Sequence, residues 1–193
     1  MMTRRQSLAI GLGASLQLVG EPARAQQISG RNRTLVAFFT RTGNTKLIAG
    51  TVRRDIGADL FEIQPAVPYP EDYEATVAQA EREKQANYEP ALKELVTQMG
   101  AYSTVYLAFP IWGSTVPTVI KSFLSKHDLS GKDLVPLFTH GGYGAGDSRA
   151  VLRRMAPQAR LREAFVIRMD QEREIMKQVT RWLETSNTRK RAG

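Results

Sequence analysis

The chain has 193 residues, and its 27 lysines and arginines against 19 aspartates and glutamates give a formal net charge of +8. It has no cysteine and only two histidines, which excludes thiol chemistry and argues against a histidine-rich metal site. The positive charge favours acidic partners, but no basic stripe with interleaved aromatic residues supports nucleic-acid binding.

Residues 1–25 have the features of an export signal that is removed. A basic start at Arg4-Arg5 precedes an apolar stretch too short to span a bilayer, and Ala23-Arg24-Ala25 provides a small-x-small cleavage site. The start resembles a twin-arginine signal, with a Sec signal or an uncleaved anchor as the alternative. Cleavage would remove three arginines and one glutamate and leave a formal charge of +6. The protein is therefore expected outside the cytoplasm, in the periplasm or otherwise exported, with no membrane span after cleavage.

We expect residues 26–33 to form a linker, 34–186 to form one domain, and 187–193 to form a basic tail. Within the domain, apolar runs alternate with stretches of helical period, which predicts an α/β fold with a doubly wound parallel sheet and helices on both faces. Strands are predicted near 34–39, 59–64, 103–109, 134–139 and 163–168, and helices near 44–56, 72–86, 91–99, 117–127, 148–156 and 171–185.

The first predicted strand leads into a hydroxyl-rich turn and then into a helix. The turn is Thr40-Arg41-Thr42-Gly43-Asn44-Thr45. A strand, a tight turn and a helix start direct backbone N–H groups and the positive end of a helix dipole to one point, where a phosphate can bind. Neither a P-loop nor a G-x-G-x-x-G motif is present. The alternative is an ordinary helix start with Thr42 or Asn44 as its cap.

A proline-rich stretch follows the second predicted strand. Pro65, Pro68 and Pro70 surround Tyr69 just before the polar helix near 72–86. No charged cluster accompanies the prolines, so we interpret this stretch as a rigid surface connector rather than as part of a binding site.

The loops after the third and fourth strands carry unusual residues. In a sheet of order 2-1-3-4-5, ligands bind beyond the carboxyl ends of the strands, near the first and third. Trp112 lies between prolines in the first of these loops, and four glycines fall within residues 141–146 of the second. A loop tryptophan packs either on a planar ligand or on the next helix, and a glycine-rich loop lets backbone approach a ligand closely.

Together, these three loops are similar to those of the flavodoxin family. The segments that carry the resemblance are T-R-T-G-N-T, then P-I-W, then T-H-G-G before a helix, and their order and spacing extend over the whole chain after the signal. The resemblance implies a five-stranded sheet of order 2-1-3-4-5 and FMN as the cofactor. Strand five leads directly into the last helix, which is typical of the short-chain form.

The resemblance also implies which residues would bind FMN. One group would hold the phosphate, and two others would flank the isoalloxazine ring. Trp112 is the stronger candidate for a flavin-facing ring, whereas Tyr143 could equally point to solvent, and His140 could bond the ring, sense pH or satisfy a backbone carbonyl. The residues expected to bind the phosphate are Thr40, Arg41, Thr42, Gly43, Asn44 and Thr45. The residues expected on one side of the ring are Pro110, Ile111, Trp112 and Gly113, and those expected on the other side are Thr139, His140, Gly141, Gly142, Tyr143 and Gly144.

The function that follows from the resemblance is electron transfer by an exported FMN protein. Flavodoxins are typically acidic, so this basic chain is expected to use different partners, either an acidic redox protein or a small acceptor. One alternative is an FMN-dependent NAD(P)H:quinone-type oxidoreductase, and another is a binding module without redox activity. Colour after purification and NAD(P)H oxidation with quinones would separate these three.

Overall fold

The computed structural model describes residues 33–169 and 178–185. The expected export signal, nearly all of the expected linker and the expected basic tail lie outside these ranges, as do residues 171–177 of the last predicted helix. No helix within the described ranges is long and apolar enough to cross a bilayer.

One parallel sheet with helices on both faces organises the domain, as the sequence predicts. Its strand order is β2-β1-β3-β4-β5, with β6 pairing β4 as well. The order 2-1-3-4-5 is thereby confirmed. The strands are β1 Arg33–Phe38, β2 Asp59–Glu62, β3 Tyr102–Pro110, β4 Asp133–His140, β5 Arg160–Leu161 and β6 Phe165–Arg168; the helices are α1 Asn44–Ile56, α2 Tyr73–Gln85, α3 Thr118–Lys126 and α4 Ser148–Met155, and residues 178–185 are also helical.

The predicted fifth strand, near 163–168, corresponds to β6, and a further short strand, β5, precedes it; the two pair with opposite ends of β4. β5 lies beside Asp133 and Leu134, and β6 lies beside Leu137 to His140. Between them, Arg162 directs its guanidinium back to the Asp133 carboxylate at 2.8 Å, where Arg160 also binds at 2.7 Å. The chain therefore leaves the sheet for three residues and then rejoins the same edge.

The predicted helix near 91–99 is wrong. This segment forms an extended bridge with the proline-rich stretch, in which Lys93 donates its amide to Gln64 and Ala91 accepts one from Ala66. Only Met99–Ala101 forms a short 3-10 turn. Pairing with a distant stretch satisfies these backbone groups and outweighs the local helical period.

Alternate residues of the central strand β3 face two separate cores. Val105, Leu107 and Phe109 belong to the core under α3 and α4, and Tyr106 and Ala108 belong to the core under α1 and residues 178–185. Side chains of a strand alternate between faces, so a strand that is apolar at every position must be covered on both. The two cores fix the carboxyl ends of β1, β3 and β4 side by side.

Candidate functional site

The loops that follow β1, β3 and β4 meet around one cavity of about 430 Å³, and α2 forms a further wall. This volume lies within the range of small-molecule and cofactor sites. Every site residue predicted from the sequence lines the cavity except Gly43, Gly142 and Gly144. These three glycines lie within the lining loops and contribute backbone conformation, with φ values of 89°, 143° and 73°.

The first loop ends in a helix start that no side chain caps. Gly43 is the N-cap of α1, and neither Thr42 nor Asn44 takes the capping role that the alternative interpretation required. The Thr40 hydroxyl accepts the Gly43 amide at 3.0 Å and so closes the turn. The first amides of an α-helix have no partner within the helix. This helix start therefore has the donors and the dipole for an anion.

Thr45 connects the first loop to the end of β4. It is buried, and its hydroxyl oxygen lies 3.0 Å from that of Thr139, which is buried as well. A hydroxyl donates one hydrogen bond, so one of the two keeps its proton available for a third group. The pair holds the start of α1 against the strand that carries the glycine-rich loop.

The loop after β3 forms a two-residue turn beside the cavity. Trp112 and Thr115 exchange backbone hydrogen bonds of 3.1 Å in each direction. The two residues between them, Gly113 and Ser114, have φ values of 55° and 61°. Positive φ at both central positions is the pattern of a type I′ turn, which is costly for a residue other than glycine. The turn sets the Trp112 ring at the cavity wall.

Two aromatic rings pack against the Trp112 ring in a T-shaped geometry. Phe39 lies 5.2 Å from it, measured between ring centroids, at an interplanar angle of 77°, and Tyr69 lies 4.9 Å away at 82°. Such T-shaped pairs are favourable because a ring's positive edge meets the negative face of its neighbour. The connector interpretation of the proline-rich stretch is therefore incomplete, since Tyr69 supports the cavity wall.

His140 organises the glycine-rich loop. Its Nδ1 accepts the amides of Gly142 and Gly144 at 3.0 and 3.1 Å. It therefore satisfies backbone amides rather than the carbonyl considered from the sequence. Tyr143, between those glycines, is 88% exposed and lies at the edge of the cavity.

A second contact joins the glycine-rich loop to the turn after β3. Gly146 has a φ of 54°, and a Cβ at this position would overlap the Ser114 carbonyl. The next residue, Asp147, donates its amide to that carbonyl. Only glycine permits this approach of two backbones.

Sequence reasoning missed the wall formed by α2. This helix brings Tyr73, Thr76, Val77 and Lys84 to the cavity. It also buries Glu83, which accepts hydrogen bonds from Tyr69 and Thr118. Burial and the Glu83 carboxylate raise the pKa of Tyr69, and their combined effect is larger than that of the hydrogen bond with Thr118, which lowers it. The sequence signal was weak because α2 is polar along its length and its buried glutamate resembles any surface glutamate.

Within the part of the chain that the structure describes, no three histidine, aspartate or glutamate side chains are grouped so that they could hold a metal ion. The donors that the cavity offers are backbone amides, hydroxyls and the basic side chains of Arg41 and Lys84. This set suits an anionic organic ligand better than a cation.

Comparison with known proteins gives one family and several related folds. A family model described as flavodoxin matches residues 33–186. A solved structure described as a flavoprotein from Bacteroides uniformis ATCC 8492 is similar to this chain, with 26% sequence identity and a TM-score of 0.72, and the match covers 80% of this chain and 99% of that chain. A second, from Bacteroides eggerthii DSM 20697, has 31% identity and a TM-score of 0.69, and the match covers 80% of this chain and 98% of that chain.

A flavoprotein in complex with FMN from Lactobacillus acidophilus NCFM shares the fold. Its identity is 20% and its TM-score is 0.60, and the match covers 71% of this chain and 91% of that chain. No curated protein sequence matches the chain.

Proposed function

The chain belongs to the flavodoxin family, and on that premise we propose that it binds FMN and transfers electrons as an exported protein. The observation that carries the proposal is the meeting of three loops around one cavity, at the carboxyl ends of β1, β3 and β4. This is the position at which parallel α/β sheets bind their ligands.

The donor set of the first loop fits the phosphate of FMN. The uncapped start of α1 supplies amides and a positive dipole, and Thr42 adds an exposed hydroxyl at the cavity. Arg41 adds a positive charge to the same loop. Hydrogen bonds to an ionised phosphate are stronger than those between neutral groups. We therefore assign Thr40 to Thr45 to the phosphate.

The two other loops fit a flat aromatic ring system. The Trp112 turn and the glycine-rich loop line the same cavity, and the backbone hydrogen bond from Ile111 to Thr139 at 2.8 Å fixes their separation. We assign residues 110–113 and 139–144 to opposite sides of the isoalloxazine ring. Bound FMN supplies the ability to accept and donate electrons, and the protein's groups bind it, orient it and limit its contact with water.

Location and partners are further parts of the proposal. The signal features of residues 1–25 favour an exported protein, and the remaining chain has a formal charge of +6. Opposite charges speed the encounter of redox proteins. We therefore propose an acidic redox protein or a small acceptor as the partner.

Spectroscopy of the purified protein tests the proposal. We expect a yellow protein whose visible absorption is lost on extraction and restored by FMN, and whose bound flavin is reduced and reoxidised reversibly. A colourless protein that does not take up FMN would contradict it. Steady-state NAD(P)H oxidation with quinones would favour the oxidoreductase alternative, and fractionation of cells carrying an Arg4-Arg5→Lys-Lys variant tests the export route.

A further inference from the structure

Glu83 is a buried carboxylate beside the cavity. It is 7% exposed, although glutamates are almost never fully buried unless they are paired. Its Oε2 accepts hydrogen bonds from the Tyr69 hydroxyl at 2.8 Å and from the Thr118 hydroxyl, and its Oε1 accepts one from Gln79 at 2.9 Å. Three donors therefore bond to the two carboxylate oxygens.

Across residues 33–169 and 178–185, no lysine or arginine forms an ion pair with Glu83, and the adjacent Lys84 pairs instead with Glu81 at 2.8 Å. The titratable group bonded to Glu83 from the segment before α2 is Tyr69, and α3 contributes the non-titratable Thr118. Because burial and Glu83 raise the pKa of Tyr69, its hydroxyl remains a donor over the whole physiological pH range.

Thr118 places this charge one hydroxyl group away from the cavity. It lines the cavity wall and donates its proton to Glu83. A negative charge that enters the cavity would face Glu83 across protein rather than water, where like charges repel more strongly. A carboxylate near another negative charge binds a proton more tightly.

We propose that Glu83 takes up a proton when the cofactor in the cavity gains an electron. This inference rests on the proposed binding of FMN. A one-electron reductant supplies the electron, and a hydronium ion from the solvent supplies the proton; its O–H bond breaks to leave water, and an O–H bond forms with a carboxylate oxygen of Glu83. The Thr118 hydroxyl relays it by giving its own proton to Glu83 and taking another from the cavity. Reoxidation releases the proton, so the net charge around the cofactor changes little during the cycle.

Redox-induced infrared difference spectroscopy of the FMN-loaded full chain, reduced by dithionite, tests this proposal. We expect the C=O band of a protonated carboxylic acid to appear on reduction, to be absent in Glu83→Gln, and to remain in Glu74→Gln. Glu74 is an exposed carboxylate on the same helix that does not line the cavity. Proton uptake per electron, measured in weak buffer, should fall by up to one in Glu83→Gln alone.

A glutamate that only anchors Tyr69 would give none of these signals. Absence of the band in the native protein, or its persistence in Glu83→Gln, would overturn the proposal. If Glu83→Gln does not fold, Tyr69→Phe keeps the ring and removes one donor, so the band should shift in frequency; an unmoved band would overturn the proposal as well. Visible absorption of the same samples distinguishes failure of the Glu83 proposal from failure of the proposed function. A native protein that takes up no FMN contradicts the proposed function, whereas a protein that takes up FMN and shows no Glu83 band contradicts only the Glu83 proposal.

Discussion

The Asp147 amide donates a hydrogen bond of 3.1 Å to the Ser114 carbonyl and so joins the loop after β4 to the turn after β3. These two loops provide the proposed flavin-facing walls. Their spacing therefore depends on a contact outside the cavity, where two backbones touch at Gly146.

Gly146→Ala should open this contact. Its Cβ would overlap the Ser114 carbonyl, and the positive φ costs about 1–3 kcal/mol for the backbone alone. We expect a lower urea midpoint and weaker FMN binding. Gly50→Ala is the matched control, because Gly50 lies within α1 with open space around it, and alanine there should stabilise the helix by about 0.5–1 kcal/mol. Equal stability of the two variants would contradict this prediction.

Thr42→Ala should weaken FMN binding without affecting riboflavin. A hydrogen bond to a charged group contributes about 1.5–3 kcal/mol, which corresponds to roughly 10- to 150-fold in Kd. Riboflavin lacks the phosphate and serves as the control ligand. Isothermal titration with both flavins measures the difference, and an equal loss for both would show that Thr42 does not contact the phosphate.

Trp112→Ala should lower FMN affinity by about 1–3 kcal/mol, because aromatic stacking on a planar ring contributes that much, while Trp112→Phe should retain most of the affinity. Trp182 is the control, since it packs on Phe165 with ring centroids 4.9 Å apart and belongs to the core under α1. Trp182→Phe should leave the Kd unchanged. A Kd unaffected in Trp112→Ala would remove Trp112 from the ring site.

Stability should fall as the pH drops below about 6.5, because of His127. Burial lowers the pKa of this residue, against a hydrogen bond to the Phe123 carbonyl that raises it. The unfolded chain, with an ordinary histidine pKa of about 6.5, therefore takes up a proton first. The contribution of neutral His127 to the free energy of unfolding is fully present above pH 6.5, and it is lost as the pH falls towards the lower pKa of His127 in the folded protein.

Urea titrations at several pH values measure this effect. His127→Leu should flatten the pH dependence between pH 7 and 5 and cost about 1–3 kcal/mol at pH 7, since the Val96 amide loses its acceptor. Parallel curves for native protein and variant would contradict the assignment.

Electron transfer with an acidic partner should slow as salt increases. The formal charge of +6 that the proposed cleavage of residues 1–25 would leave attracts acidic proteins, and salt screens charges beyond about 10 Å at 0.1 M. Stopped-flow rates across an ionic-strength series test this, with a neutral small donor as the control. Rates with the acidic donor that do not change with salt would contradict the proposed partner class.

The sequence predicted the parts of this molecule that depend on local pattern. The apolar run before Thr40 predicts strand β1, and the glycines after His140 predict a loop. The loops that follow β1 and β4 both line the cavity, where parallel sheets bind ligands. The segment 91–99 was mispredicted because its extended form depends on pairing with residues 64–66. Glu83 was missed because its burial results from the packing of α2 against Tyr69 and Thr118, which no local pattern encodes.

The two histidines of this chain carry their protons on opposite ring nitrogens. His127 accepts the Val96 amide at Nε2 and so donates from Nδ1, whereas His140 accepts two amides at Nδ1 and so bears its proton on Nε2. Because there are no other histidines, selective nitrogen-15 labelling gives one pair of ring signals for the core and one for the glycine-rich loop. The unmutated protein thus contains its own magnetic resonance reporter of loop order, with an internal reference.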